Sequence, residues 1–327
     1  MRPHRQAHGS SVMERTSTAA SSQRPLSVAV CICTCRRPQM IAALLERIRE
    51  EADRVSDYTR VGVVVVDDDP EKSAETAVKR NISAFDLGIR YIPAGSRNIA
   101  IARNLAIRGG IEMAGLIALI DDDCTPGQGW LAELLRVHAL GDAEMVTGVC
   151  IDRFPEAAPP WVHQGPYFDP PLEGEDGEFV TEGYMKNMLL AADAICRSDI
   201  QFDPDFGRTG GEDAMFMIQA QKLGFRNRRA ARAVVYEQVP AQRLTLKYQL
   251  RRRFWYGNTE ALTTVASGSA TRLRALLRGG RMIAAASTLV PMRLVRRQPA
   301  EAHSAMAVFL QGLGRMLGAL GISINHR

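Results

Sequence analysis

The sequence has no glycine in the turn after its first predicted strand, where "LSVAVCICTC" runs into "TCRRPQ". A nicotinamide-dinucleotide fold needs G-x-G-x-x-G there, because glycine alone lets the backbone approach a pyrophosphate closely. The one approximate match, "GLGRMLG" (Gly312 to Gly318), has the wrong spacing and lies far down the chain. Paired cysteines are missing too. Of six cysteines, Cys31, Cys33 and Cys35 alternate within one predicted strand and read as small buried side chains on a shared face. No CxxC or nearby histidine pairs with them to make a metal site, and this usage fits a reducing cytoplasm. No run reaches the roughly 18–20 apolar residues of a membrane span. The nearest, Met282 to Val295, is short and broken by Pro291 and Arg293. Residues 1–25 lack the apolar core of a signal peptide and, rich in Arg and Ser, are expected to form a disordered tail.

What is present is an ordinary globular composition, 46% apolar and 24% charged over 327 residues, enough for one large α/β domain with an appendage. The charge is unevenly placed. Residues 228–327 hold 17 Lys/Arg against 3 Asp/Glu, a balance of +14, whereas the remaining 24 basic and 33 acidic residues leave 1–227 at −9. A basic final third implies an anionic partner for that third.

Short β-branched apolar runs alternate with stretches of helical periodicity through the first 120 residues, giving the order βαβαβαβ. That order predicts a parallel sheet covered by helices on both faces. A helix at "WLAELLRVHAL", a strand at "EMVTGVCIDRF" and a long Pro- and acid-rich loop from Pro155 to Glu178 follow. A further strand in "VTEGYMKNMLLAADAIC", a helix opened by "GGED" and a last strand at "AVVYEQV" complete this part, and beyond about Thr245 the chain turns helical and arginine-rich.

Two strands end in three aspartates each, Asp67–Asp69 and Asp121–Asp123. Ligands of open α/β sheets gather outside the carboxyl ends of parallel strands. One aspartate at each end would be an ordinary polar finish; three adjacent carboxylates repel unless a cation joins them, and oxygen-only ligands suit Mg²⁺ or Mn²⁺ bridging to phosphate. The pattern therefore fits either plain strand ends or a metal–diphosphate site. A sugar-nucleotide pyrophosphorylase would use a similar aspartate, but its Gly-rich basic loop after the first strand is missing.

With "TCRRP", "VVVDDDPEKSA", "SRNIAIARNLAI", "LIDDDCTPGQGWL", "GYMKNMLL", "GGEDAMF" and "VPAQRLTLKYQLRRRFWYGNT" in this order, the chain resembles the family 2 glycosyltransferases. The similarity is greatest to the non-processive enzymes of bacterial exopolysaccharide assembly of the succinoglycan type. The resemblance spans about Leu26 to Thr264. It implies a GT-A fold, a Rossmann-like, mostly parallel sheet with helices on both faces, and a basic helical C-terminal segment. The domain would cover 26–244, with a nucleotide half (about 26–125), an acceptor half (about 126–244) and the extension at 245–327. It further implies an inverting, metal-dependent transfer from a nucleoside-diphosphate sugar, UDP-linked, to a lipid-linked or soluble saccharide. By resemblance, Thr34 and Asp68 would line the base and ribose pocket and Arg36 would contact the nucleotide sugar, with Arg97 or Arg103 beside the nucleotide, one of the two being otherwise structural, and Asn187 near the donor sugar. Asp123 would be the direct metal ligand, seconded by Asp121, with Asp121 and Asp122 reaching ribose or water. Strand alternation would set Asp121 and Asp123 to one side and Asp122 to the other. Asp213 would be the base and Glu212 would orient the acceptor, although both could instead simply favour a helix N-terminus. Gly211 would admit the sugar close to the backbone. Trp161 could stack on an acceptor sugar or pack on the body.

"QLRRRFWYG" departs from the QxxRW of processive synthases, since Arg253 stands where Trp would be. Arg252 could instead contact the diphosphate. Residues 270–320 alternate apolar runs with arginines, which fits amphipathic helices on an anionic membrane surface better than nucleic-acid binding, for which aromatics and reading motifs are lacking. The expected location is the inner face of the cytoplasmic membrane. An inactive membrane-associated scaffold of the same fold is the non-enzyme alternative.

Overall fold

The computed structural model describes residues 26–164, 167–168, 171–297 and 299–325; the tail expected at 1–25 lies outside them. The first half of the sheet forms as the periodicity predicts. Strands β1 (Leu26–Thr34), β2 (Thr59–Asp67), β3 (Ile89–Pro93) and β4 (Leu116–Ile120) are joined through helices α1 (Pro38–Val55), α2 (Glu75–Arg80) and α3 (Ile99–Met113). All three pairings among these strands are parallel, in the order β3-β2-β1-β4. Alternation along β1 builds both layers. Val28, Val30 and Ile32 meet Ile41, Leu44, Leu45 and Ile48 of α1, while Ala29 and Cys31 meet Ala102, Ala106 and Ile107 of α3.

The second half departs from the expectation of a mostly parallel sheet. It comprises β5 (Cys124–Pro126), α4 (Trp130–His138), β6 (Met145–Arg153), α5 (Trp161–Gln164), β7 (Phe179–Val180), β8 (Asn187–Ala191), α6 (Ala192–Ser198), α7 (Glu212–Lys222) and β9 (Asn227–Gln238). The sheet continues β4-β8-β6-β9-β5, and β7 also pairs β9. Here β8 runs antiparallel to both β4 and β6, β5 and β7 run antiparallel to β9, and β6 alone is parallel to β9, so the sheet is mixed. The reason lies in the connection. Between β6 and β8 the described residues hold a four-residue helix and a two-residue strand, with no crossover helix to return the chain to the sheet's other end. Asn187 therefore enters opposite Ile120, the last residue of β4, and β8 runs backwards.

The final part is helical: α8 (Leu246–Ala266), α9 (Arg272–Val295) and α10 (Pro299–Ala319). α10 lies against α8 at backbone distance. A side chain at Gly257 would strike the Gln311 carbonyl, and one at Gly314 the Phe254 carbonyl. No described helix is long and apolar enough to cross a membrane.

Candidate functional site

The carboxyl ends of β1, β2 and β4 lie side by side and open into one cleft of about 830 Å³. Thr34, Arg36, Asp68, Arg97, Arg103, Asp121, Asp122 and Asp123 all line it, so positions from four separate stretches of the sequence meet in one place.

The first aspartate triplet divides into three roles. Asp67 is fully buried and accepts from the Asp69 amide (3.0 Å), the Ala74 amide (2.8 Å) and the Tyr91 hydroxyl (2.9 Å), which fixes the turn after β2. Asp68 faces the cleft and accepts from the amides of Ser96 (2.7 Å), Arg97 (2.9 Å) and Asn98 (2.8 Å). It thereby places the loop that starts α3, where Asn98 caps the helix by accepting from Ala100 and Ile101. Asp69 receives the Arg36 guanidinium at 3.3 Å. Arg36 and Arg97 both hold left-handed backbones, φ 60° and 51°, a conformation that non-glycine residues rarely adopt and that collects at functional loops.

The second triplet is not arranged by strand alternation, because β4 stops at Ile120 and the chain turns before β5. Asp122 accepts from the Thr34 hydroxyl and from Arg37, both at 2.7 Å, and Asp123 shares the same Arg37 nitrogen at 3.1 Å. Asp121 turns instead to Arg103, at 3.2 Å. Asp122 and Asp123 thus share a counter-ion and Asp121 has another, a grouping different from the Asp121–Asp123 side expected from alternation.

Arg103 links this triplet to the start of α7. Its side chain, 7% exposed, contacts Glu212 at 3.3 Å and pairs with Asp213. Burial disfavours its charge, but Asp121 and Glu212 outweigh that and hold its pKa above the usual value. Glu212 is buried, whereas Asp213 keeps 44% of its side chain exposed. Neither lines the cleft directly; both border it through Arg103. Gly211, at φ 94°, faces α8 rather than the cleft: a side chain there would strike Thr259 and Thr263. Backbone conformation and packing against α8 both require glycine there.

Two expected residues lie elsewhere. Asn187 is fully buried, accepting from Trp130 Nε1 (2.8 Å) and donating to the carbonyls of Val149 (2.9 Å) and Ala233 (2.8 Å); it binds the second half of the sheet together. Arg252 donates to the Tyr167 carbonyl and lies over the Tyr256 ring, beside a smaller pocket rather than in the cleft. Trp161 packs edge-on against Tyr167, in a cluster with Val162, Val239 and Leu244.

Sequence reasoning missed Arg37, Arg208, Arg243 and Asn325, which also line the cleft. Arg37 stood in the quoted "TCRRP", and its place before the Pro38 that opens α1 was the available signal. Arg243 is held by Glu237 at 2.8 Å, and Gln249 fixes its carbonyl at 2.7 Å. Asn325 gave no local signal.

Charge in the cleft is out of balance at the second triplet. Burial, then Asp121 and Glu237, push the Asp123 carboxyl up to about 6 against the pull of Arg37; burial likewise raises Asp122 despite Arg37 and Thr34. Desolvation pushes the half-buried Cys33 thiol up to about 12 against the pull of Arg103, with Asp121, Asp68 and Asp122 adding to the rise. Negative charge in excess of its counter-charge, offered by oxygen alone, fits a hard divalent cation. Among the described residues, Cys150, Asp152 and Glu237 also approach one another, ligand atoms within 4.8 Å. There Lys186 and Arg243 already neutralise Glu237, which is held below the usual carboxylate range although burial opposes this.

The glycosyl transferase family 2 model matches residues 29–195, the half of the chain that builds β1 to β4, the cleft floor and β8. The succinoglycan biosynthesis protein ExoM of Rhizobium meliloti (strain 1021) is 32% identical over 235 residues, which is 72% of this chain and 74% of that protein. Among solved structures, the mannosyltransferase PcManGT from Pyrobaculum calidifontis, in complex with GDP-Man and Mn²⁺, superposes with a TM-score of 0.61 at 17% identity, covering 91% of this chain and 88% of that one. S. aureus TarS 1-349 in complex with UDP-GlcNAc gives 0.53 at 12% identity, with 87% and 90% covered. Against a longer S. aureus TarS chain the match spans 73% of this chain and 39% of that one. At these identities the structures establish the shared fold alone, whereas the family model and the curated relative establish descent. The chain belongs to glycosyl transferase family 2 and is a glycosyltransferase.

Proposed function

We propose that the cleft binds a nucleoside-diphosphate sugar, UDP-linked, together with Mn²⁺ or Mg²⁺, and that the sugar passes with inversion to a saccharide acceptor. The acceptor proposed is a polyprenyl-diphosphate-linked oligosaccharide of exopolysaccharide or cell-surface polysaccharide assembly, in keeping with the succinoglycan relative. The observation that carries this reading is the meeting of the β1, β2 and β4 ends with the start of α7 through Arg103. Thr34 and Asp68 would receive the nucleoside, and Arg36, Arg97, Arg208 and Arg243 would surround the diphosphate. Asp123 and Asp121 would hold the cation, with Asp122 beside them; when bound, it neutralises the departing diphosphate as a Lewis acid. Asp213, the more exposed of the α7 acids, would take the proton from the acceptor hydroxyl as an oxocarbenium-like transition state develops. Buried Glu212 would hold Arg103, and with it the orientation of Asp213.

Asp213→Asn is expected to abolish transfer while UDP and Mn²⁺ still bind by calorimetry. Asp123→Ala is expected to weaken UDP binding in the presence of Mn²⁺. Wild-type-like transfer by the Asn variant overturns the assignment of the base.

The anionic partner proposed for the basic segment is a membrane surface. Leu273, Leu277, Ala284, Pro291 and Val295 share one exposed line of α9, interrupted by Gly280 and Thr288, and Arg274, Arg278 and Arg281 lie along one side of it. No acid occurs within α9. An apolar stripe edged by arginine suits a helix lying in an anionic lipid interface. Wild-type protein is expected to sediment with phosphatidylglycerol vesicles, and Arg274→Glu/Arg281→Glu to stay in solution; equal behaviour of the two sinks the idea.

A further inference from the structure

The C-terminal helices do more than flank the family-matched region; they carry a piece of the cleft wall. α10 ends at Ala319 in a left-handed turn at Gly321 (φ 83°), where the Gly321 amide donates to Gly318 and the Ile322 amide to Leu317. This is the paired hydrogen-bond stop that reverses a chain sharply away from a helix. The segment it releases is caught at once by Asn258 of α8, which is 1% exposed. The Asn258 amide nitrogen donates to the Ile322 carbonyl (2.8 Å) and its carbonyl oxygen accepts from the Ile324 amide (3.2 Å). A buried carboxamide that engages a backbone carbonyl and the amide two residues on fixes both position and direction of the segment. The next residue, Asn325, lines the donor cleft. α8 is itself tied to the loop before α7, through Thr259 donating to the Thr209 carbonyl at 3.1 Å.

We propose that Ile322–Asn325 is a fixed wall of the donor cleft, that the Asn325 carboxamide hydrogen-bonds a hydroxyl of the sugar being transferred, and that Asn258 is its positioning residue. A carboxamide offers both a donor and an acceptor, the pair that a sugar hydroxyl reads, in a lining otherwise rich in aspartate and arginine. The inference rests on the donor reading given above and adds a contact outside residues 29–195, the part that the family model matches.

The test compares nucleotide with nucleotide sugar on the full chain, by calorimetry with Mn²⁺. The probes are UDP and GDP on one side, and UDP-glucose, UDP-galactose, UDP-GlcNAc and GDP-mannose on the other. Asn325→Ala is expected to weaken the best-binding nucleotide sugar roughly three- to ten-fold, the worth of one hydrogen bond, with its nucleotide bound as by wild type. Asn325→Gln should restore part of the loss. Asn258→Leu should show the same selective loss, its melting curve reporting that the fold is kept; Asn325 is exposed, so its variants do not depend on that control. Equal affinities for Asn325→Ala and wild type, or equal loss of nucleotide and nucleotide sugar, overturn the proposal. A wild-type protein that binds none of the six probes overturns the donor reading beneath it, a distinct result.

Discussion

Replacing Arg103 with methionine tests whether one buried guanidinium joins the two halves of the site. Its side chain is 7% exposed and touches Asp121, Glu212 and Asp213, with Phe202 under the guanidinium at 5.5 Å. Asp121 and Asp213 are a third and nearly half exposed, so water can take over their solvation and they add little to the cost. Glu212 is the residue that suffers, being buried at the first position of α7. Leaving a buried charge without its partner costs about 3–5 kcal/mol. The helix N-terminus returns part of this to Glu212, and methionine refills most of the volume, so a net loss of about 2–4 kcal/mol is expected. For a chain of this size that lowers the melting temperature by about 3–6 °C. The assay is a thermal melt of wild type, Arg103→Met, Glu212→Gln and the double variant. The double variant should regain most of the stability, because neutral glutamine needs no guanidinium, giving a coupling of about 1.5 kcal/mol or more. Melting of Arg103→Met within about 2 °C of wild type, or failure of Glu212→Gln to rescue it, refutes the reasoning.

Three further outcomes follow from placements already described. Asn187→Ala orphans Trp130 Nε1 and two buried carbonyls and should cost about 2–4 kcal/mol in urea unfolding, yet leave UDP affinity unchanged; a selective loss of donor binding would return Asn187 to the site. Gly211→Ala must place a side chain against Thr259 and Thr263 at φ 94° and should destabilise by about 2 kcal/mol or more, read by thermal melt. Glu237, held below its ordinary pKa by Lys186 and Arg243 against the opposing effect of burial, contributes stability that is present above about pH 4.5 and lost as pH falls through its folded value. Glu237→Gln should therefore be less stable than wild type at pH 7 and lose less between pH 7 and 3.5, and parallel pH curves would refute this.

Much of the first half of the sheet was legible because its signals are local. β1 alternates faces within nine residues, and Asn98 caps α3 from one position before it. Strand direction in the second half is not local: nothing in "NMLLA" says whether β8 enters from the carboxyl or the amino end of β4, and a long connection decided it. Resemblance alone puts Asn187 near the donor sugar; its position is set instead by Trp130, far away in sequence, whose indole N–H it satisfies in the core. Arg37 and Asn325 escaped because each is placed by tertiary contacts, the first with Asp122 and Asp123 and the second through Asn258.

The two aspartate triplets, alike as letters, differ in what answers their charge. At 67–69 backbone amides and the Tyr91 hydroxyl do much of the work, and these are built into turns that cannot leave. At 121–123 the Thr34 hydroxyl assists Asp122, and the charges opposite are two side chains, Arg37 and Arg103, one of them 40% exposed. Amides fixed in a turn specify a shape and go on doing so whatever binds. An exposed guanidinium can swing away when a better cation arrives, and a carboxyl pushed up to about 6 beside it gains by the exchange. The first triplet is therefore suited to hold the rim of the cleft still, and the second to accept a new counter-charge within it.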